Sequence, residues 1–189
     1  VSGGSVKALA GKMTIMASGD PKAFERAAPT LDAIAGKVFR LGDTPGLGSQ
    51  VKMVNQLLAG VHIAATAEAM TLGAKIGIDL QQLHEVICEC AGSSWMFENR
   101  GAHIVAGDYT PHSAVDIFVK DLGIVASEAG KAGCNTPLTS AALALFQQAS
   151  AAGLGREDDS AVAKILAASA KVDLPGVDLP GVDLPGVDL

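Results

Sequence analysis

The sequence predicts a mainly α-helical domain preceded by a short β-α-β unit, and three observations carry that prediction. The chain is 49% hydrophobic yet only 4% aromatic, a composition rich in alanine that suits packed helices better than a β-sandwich. After a glycine-rich turn, apolar residues recur at helical spacing from Ser49 to about Lys75, with no proline until well beyond Ile78. Before that turn, two short apolar runs bracket an amphipathic stretch that opens on Pro21. At 189 residues the chain is long enough to bury one good core with a small appendage.

Taken in order, Met13 to Ala17 reads as a strand bounded by Ser18-Gly19-Asp20. Pro21 to about Ala35 reads as a helix with Phe24, Ala28, Leu31 and Ile34 along one side, and Val38 to Leu41 as a second strand. The turn Gly42-Asp43-Thr44-Pro45-Gly46-Leu47-Gly48 then leads into the central helix, for which Ser49 is the expected N-cap. Val51, Val54, Leu58, Val61, Ala65 and Leu72 form its apolar stripe, and its length is about 40 Å at about 1.5 Å per residue. Asp79 with Gln82 offers a capping pair for a helix through about Cys90, on which His84 reads as a packing residue. Trp95, Met96 and Phe97 read as core plugs or as the lining of a pocket.

Val115, Phe118, Val119, Leu122, Val125, Ala126 and Ala129 mark a helix from about Ser113 to Lys131. Gly133 stops it, and Thr136-Pro137 starts another that runs to about Ala152. Asp158 or Asp159 caps a last helix to about Ala170. From Val172 the sequence repeats Val-Asp-Leu-Pro-Gly to Leu189. A proline every five residues forbids a continuing helix, so a disordered or loosely extended tail is expected.

Composition also bounds function. A net charge of -6, with no run of lysine and arginine, argues against nucleic acid as a partner. No window approaches about 18 uninterrupted strongly apolar residues, which argues against a membrane span. Cys88, Cys90 and Cys134 are odd in number and contain no Cys-x-x-Cys pair, as expected of reduced thiols in the cytoplasm; no metal site is expected.

The chemistry points to the first turns of the central helix. Lys52, Asn55 and Gln56 share one face there, at three- and four-residue spacings. A cation at a helix N-terminus meets an unfavourable field, which lowers a lysine pKa and suits it to general acid and base work beside an amide that orients a substrate oxygen. From spacing alone, a solvated lysine at a helix start is equally a reading of Lys52. Lys120 lies off the apolar stripe of its helix, and an ordinary surface pair with Asp116 one turn earlier accounts for it as well.

The pattern Gly42, Gly46, Gly48, Lys52, Asn55 resembles the catalytic segment of the β-hydroxyacid dehydrogenases, the family of 3-hydroxyisobutyrate dehydrogenase and tartronate semialdehyde reductase. Two further stretches carry the resemblance: Val1-Ser2-Gly3-Gly4 with Ala8, Gly11 and Thr14-Ile15-Met16, and Lys120-Asp121-Leu122. Ser93 to Arg100, Asp108-Tyr109-Thr110-Pro111 and Asp116 to Asp121 are most similar to its L-threonate dehydrogenase branch. It implies a helical bundle like the C-terminal domain of 6-phosphogluconate dehydrogenase, over 45–170, after a β-α-β remnant of a Rossmann-type domain over 1–44. Residues 171–189 form the tail. No Gly-x-Gly-x-x-Gly follows a strand, so the sequence reads as the C-terminal portion of a longer enzyme.

By that resemblance the enzyme oxidises small hydroxy acids with NAD or NADP. Lys52 exchanges the proton at the substrate oxygen, Asn55 orients that oxygen, and Ser2, Gly3 and Gly4 hold the carboxylate. Lys120 reaches the nicotinamide end of the cofactor, with Asp121 supporting it, and Arg100 approaches a polyhydroxy acid. Threonate is the first substrate expected, ahead of 3-hydroxyisobutyrate and tartronate semialdehyde. A lysine at position 52 favours alcohol or ketone chemistry over imine reduction. Ser113 departs from the pattern, since many relatives place an aromatic there. Thr66-Ala67-Glu68-Ala69 and Gly77-Ile78-Asp79 also resemble the family, in which this helix packs against a second copy, so a homodimer or homotetramer through 49–75 is expected. The rival from another class is a non-catalytic helical oligomerisation fragment, which needs no nucleotide site.

Overall fold

A computed structural model describes residues 1–177 of the chain. They fall into two compact units, divided between Gln56 and Leu57 within one long helix.

The first unit is the β-α-β element with additions at both ends. Strand β1 (Met13–Ala17) and strand β2 (Ala35–Arg40) pair in parallel, with Thr14 opposite Lys37 and Ala17 opposite Arg40. Between them runs α2 (Pro21–Ile34), whose first turn Asp20 caps by accepting from the Lys22 and Ala23 N–H groups at 2.7 and 3.3 Å. Ile15 and Phe24 are buried, and the Arg40 guanidinium lies 4.8 Å over the Phe24 ring. A short helix α1 (Gly4–Leu9) precedes β1; it was not expected, because its six residues carry no helical stripe. Ahead of α1, Ser2 makes an antiparallel bridge to Thr14 of β1.

Helix α3 spans Leu47–Lys75 and so begins two residues before Ser49. Ser49 is therefore inside the helix and does not cap it. The hydroxyl that serves the first turn is that of Ser18, at the end of β1, which accepts from the Gly48 N–H at 3.1 Å. Gly48 must be glycine, since a Cβ there would meet the Met16 carbonyl oxygen at 2.4 Å. The helix start is thus pressed onto the end of β1.

The second unit is helical. It comprises the rest of α3, α4 (Leu80–Cys88), α5 (Trp95–Ala106), α6 (Val115–Lys131), α7 (Pro137–Ala149) and α8 (Val162–Ala170). A π turn over Ser150–Leu154 and a 3-10 turn over Asp159–Ala161 link the last two. Asp79 caps α4 through the Gln82 N–H, and Ser94 caps α5 through the Phe97 N–H. Phe118 of α6 stacks on Phe146 of α7 with ring centroids 5.2 Å apart. Gly60 lets α3 approach α6, because a Cβ there would meet Leu122 and Phe118 at 3.0 Å or less. Phe97 is a core residue, stacked on His84 at 5.6 Å, whereas Trp95 is 61% exposed and plugs nothing.

Two sequence expectations change here. The stripe chosen for α3 is its outer one: Val51, Val54, Leu58 and Leu72 are 43 to 59% exposed, while Ala59, Ile63, Thr66, Ala67 and Met70 are buried. By length and composition α3 is also apolar enough to cross a membrane, with a mean hydropathy of 1.3 over 18 residues. Its buried face packs in the core of the helical unit, as in a core helix of a folded domain. The tail expectation likewise fails for its first repeat. Leu174 is 5% exposed, and Val172 and Val177 pack against the same core. The later repeats lie outside the described residues.

Candidate active site

In the first unit, the expected residues cluster around the junction of β1 and α3. Because Gly48 seats the helix on β1, Lys52 follows one turn later, and its Nζ donates to Gln56 Oε1 at 2.5 Å. The Asn55 amide donates to the same oxygen at 3.0 Å. Gln56, which sequence reasoning placed on this face without giving it a role, is therefore the group that joins Lys52 to Asn55. The signal for it was the four-residue spacing from Lys52.

The chain's first residue feels the charge of that group. The α-amino group of Val1 is held below its ordinary value, by burial first and by the Lys52 charge second, so the two lie within electrostatic reach. Ser2 gives its N–H to the Thr14 carbonyl at 2.8 Å and accepts the Thr14 N–H at 2.9 Å. Its backbone amide is accordingly committed to β1. Gly3 and Gly4 stand at the start of α1, where the Gly3 carbonyl accepts from the Lys7 N–H at 3.3 Å.

In the second unit, Lys120 and Asp121 lie next to each other on α6 and form an ion pair at 3.1 Å, with Lys120 66% exposed. The alternative pairing with Asp116 does not form: Asp116 accepts from the Ser150 hydroxyl at 2.6 Å. An exposed ammonium beside a carboxylate suits the polar rim of a nicotinamide carboxamide or ribose. The turn from β1 to α2 offers no cradle for a pyrophosphate, since it holds one glycine and the Lys22 and Ala23 N–H groups of its helix are taken by the Asp20 carboxylate.

Arg100 is buried and paired. It is 5% exposed, and its guanidinium makes a two-pronged contact with Asp159, Nη2 to Oδ2 at 3.0 Å, with Asp158 3.5 Å from Nε. Burial opposes the charge on Asp158, yet the Ser160 hydroxyl, Arg100 and the N–H groups of His112 and Ser160 together hold its carboxyl below the ordinary value. Burial pushes Asp159 the other way, against the pull of Arg100. This cluster ties α5 to the 3-10 turn and is structural. Burial, with Glu98 and Glu89, pushes the Cys88 thiol up, away from thiolate chemistry at neutral pH.

The model describing the NAD-binding region of NADP-dependent 3-hydroxyisobutyrate dehydrogenase matches residues 46–166. The model of the NAD-binding domain of 6-phosphogluconate dehydrogenase matches residues 1–42. The L-threonate dehydrogenase of Escherichia coli K12 is 61% identical over 93% of this chain and 57% of its own length. A crystal structure of a 3-hydroxyisobutyrate dehydrogenase from Salmonella typhimurium superposes with a TM-score of 0.83 at 61% identity, covering 87% of this chain and 58% of that one. A structure of Psf3 in complex with NADP+ and 2-OPP superposes with a TM-score of 0.79 at 25% identity, covering 88% and 58%. The chain thus spans somewhat under three fifths of the length of the relatives it matches.

Proposed function

The chain belongs to the 3-hydroxyisobutyrate dehydrogenase-like family, and from that premise we propose that the whole protein is a dehydrogenase of small hydroxy acids, with L-threonate or a similar sugar acid as substrate. The observation that carries the reading is the Lys52, Gln56, Asn55 group at the start of α3, within electrostatic reach of the Val1 amino group. The named relative at 61% identity supports threonate as the first substrate.

A nicotinamide dinucleotide, NAD or NADP, supplies the hydride acceptor when bound. Lys120 and Asp121 would hold its nicotinamide end. Lys52 Nζ exchanges the proton of the substrate hydroxyl as the carbinol carbon is oxidised. Gln56 Oε1 fixes the position of that ammonium, and the Asn55 amide, held by the same oxygen, orients the substrate oxygen. The Ser2 hydroxyl with the Gly3 and Gly4 amides holds the carboxylate. The protein works in the cytoplasm, as its exposed free cysteines Cys90 and Cys134 suit.

The exposed stripe of α3 favours a second, compatible reading, in which this helix pairs two copies into a homodimer or a dimer of dimers.

The test is turnover by the whole protein of threonate, 3-hydroxyisobutyrate and tartronate semialdehyde. Lys52→Ala is expected to lower kcat by about 10²- to 10⁴-fold with an unchanged melting temperature. A Lys52→Ala enzyme that keeps its kcat sinks the assignment, and a whole protein inactive on all three acids sinks the substrate class.

A further inference from the structure

Asp116 lies one helical turn before Lys120 on α6, the spacing and the order in which an acid pairs well with a lysine. It does not make that pair. Its Oδ1 accepts from the Ser150 hydroxyl at 2.6 Å, and its backbone N–H donates to the Gly155 carbonyl at 3.1 Å. The Lys120 ammonium meets Asp121 instead.

The seat that holds Asp116 is built by the link between α7 and α8. Ser150 opens the π turn, Gly153 within it is left-handed at φ 87, and Gly155 follows it at φ -53 and ψ -28. Those last angles suit any residue, so backbone conformation does not call for glycine at 155. Space does. A Cβ on Gly155 would stand 2.5 Å from Asp116 Oδ2, 2.6 Å from Oδ1 and 2.7 Å from Cγ. The missing side chain is therefore the room in which the carboxylate lies, and the Ser150 hydroxyl is the donor that keeps it there.

We propose, resting on the reading of Lys120 as a contact of the nicotinamide end, that Ser150 and Gly155 withhold Asp116 from Lys120. Asp116 is thus a positioning residue: while its carboxylate is held on the link, the Lys120 ammonium stays with Asp121 and is presented to the cofactor. Released from its seat, the Asp116 carboxylate competes for that ammonium across one turn and draws it toward the N-terminal end of α6, with the strength of an exposed pair at this spacing. The effect falls on cofactor affinity rather than on turnover, because Lys120 binds and does not exchange the substrate proton.

Two releases test this in the whole protein. Ser150→Ala removes the donor, and Gly155→Ala pushes the carboxylate out of its room. With isotope-labelled methyl groups on the lysines and no cofactor added, each variant is expected to shift the Lys120 resonance. Each is also expected to raise the Kd for NAD+ or NADP+, whichever the wild type binds, by about twofold, the size of one such pair, with kcat at saturating cofactor changed less than that. Adding Asp116→Asn to either variant keeps the shape of the side chain and removes its charge, so resonance and Kd should return to the wild-type values. A link that mattered for its shape alone would not be rescued in this way, since the hydroxyl or the glycine is still missing. The proposal is overturned if neither release moves the Lys120 resonance, or if the weaker binding survives Asp116→Asn. Lys120→Ala keeps the two readings apart. An unchanged Kd in that variant sinks the cofactor role of Lys120 and this proposal with it, whereas a raised Kd beside an unmoved resonance in both releases sinks the seat alone.

Discussion

At the scale of single residues, the lysine proposed to exchange the substrate proton and the arginine of the helical unit differ in their surroundings: Lys52 meets an amide at a helix start, and Arg100 is buried against carboxylates. Lys52, Asn55 and Gln56 could be placed on one face by counting, because neighbours on a helix are fixed by its period. Which amide meets the lysine was not legible, since it depends on rotamers, and Gln56 takes that place. Arg100 was misread for a different reason: its partner Asp159 lies 59 residues further on, and only the fold brings them together. Asp158 lies 3.5 Å from the same guanidinium and accepts from the His112 and Ser160 N–H groups and the Ser160 hydroxyl, so neutralising it weakens a buried charge network and its donors together. Asp158→Asn is therefore expected to destabilise the helical unit by about 3 kcal/mol at pH 7. The sign with pH follows from the lowered carboxyl of Asp158. Its contribution is fully present above the unfolded value and is lost as pH falls through the folded one. Denaturant melts of wild type and variant should differ most at neutral pH and draw together below the ordinary value of 3.8. A gap unchanged down to pH 2 would remove Asp158 as its source.

At the scale of elements, β1, α2, α4 and the helices α6 to α8 could be read from periodicity and caps, with Asp79 capping α4 through Gln82 as its spacing suggested, whereas α5 was not read as a helix. The start and the buried face of α3 could not. Ser49 looks like a cap by type, but the hydroxyl that reaches the first turn comes from Ser18, thirty residues earlier. The buried face of α3 is built from alanine, threonine and one methionine around Ile63, less apolar by type than the stripe it leaves outside. Residue type alone therefore points to the wrong side. The consequence for the site is that the position of Lys52 depends on a backbone contact of Gly48. Gly48→Ala places a methyl group 2.4 Å from the Met16 carbonyl. Overpacking of this kind costs about 1 to 3 kcal/mol, and here relief requires the first turn of α3 to lift from β1. In the whole protein, kcat on threonate should drop at least about tenfold, since a shift near 1 Å is enough for that, while the helical unit keeps its melting behaviour. An alanine variant with wild-type kcat would show that the contact does not set the lysine.

At the scale of the whole molecule, what α3 leaves exposed is more than scattered surface. Val51, Val54, Leu58, Val61, Ala65, Glu68 and Leu72 follow one another at alternating spacings of three and four, the period by which two helices bury a seam between them. Four of these side chains are 43 to 59% exposed, with Val61 half-buried. Isolated exposed leucines need no explanation, but a line of them along a 29-residue helix is costly to leave in water, at about 25 cal/mol per Å² of apolar surface. A second copy offering the same line in the opposite direction would cover it by twofold symmetry, as isologous interfaces do. Pairing of this kind also reconciles the two functional readings, since an enzyme and an oligomerisation element can share one helix on different faces. Leu58 and Leu72 lie on the outer stripe, fourteen residues apart and away from the buried face, so Leu58→Glu/Leu72→Glu should leave the fold intact while placing like charges across the seam. Light scattering of the whole protein is expected to give a dimer or tetramer for the wild type and a mass reduced at least twofold for the variant. An unchanged mass with both glutamates present would mean that α3 pairs no copies, and a monomeric wild type would leave the stripe without the partner proposed for it.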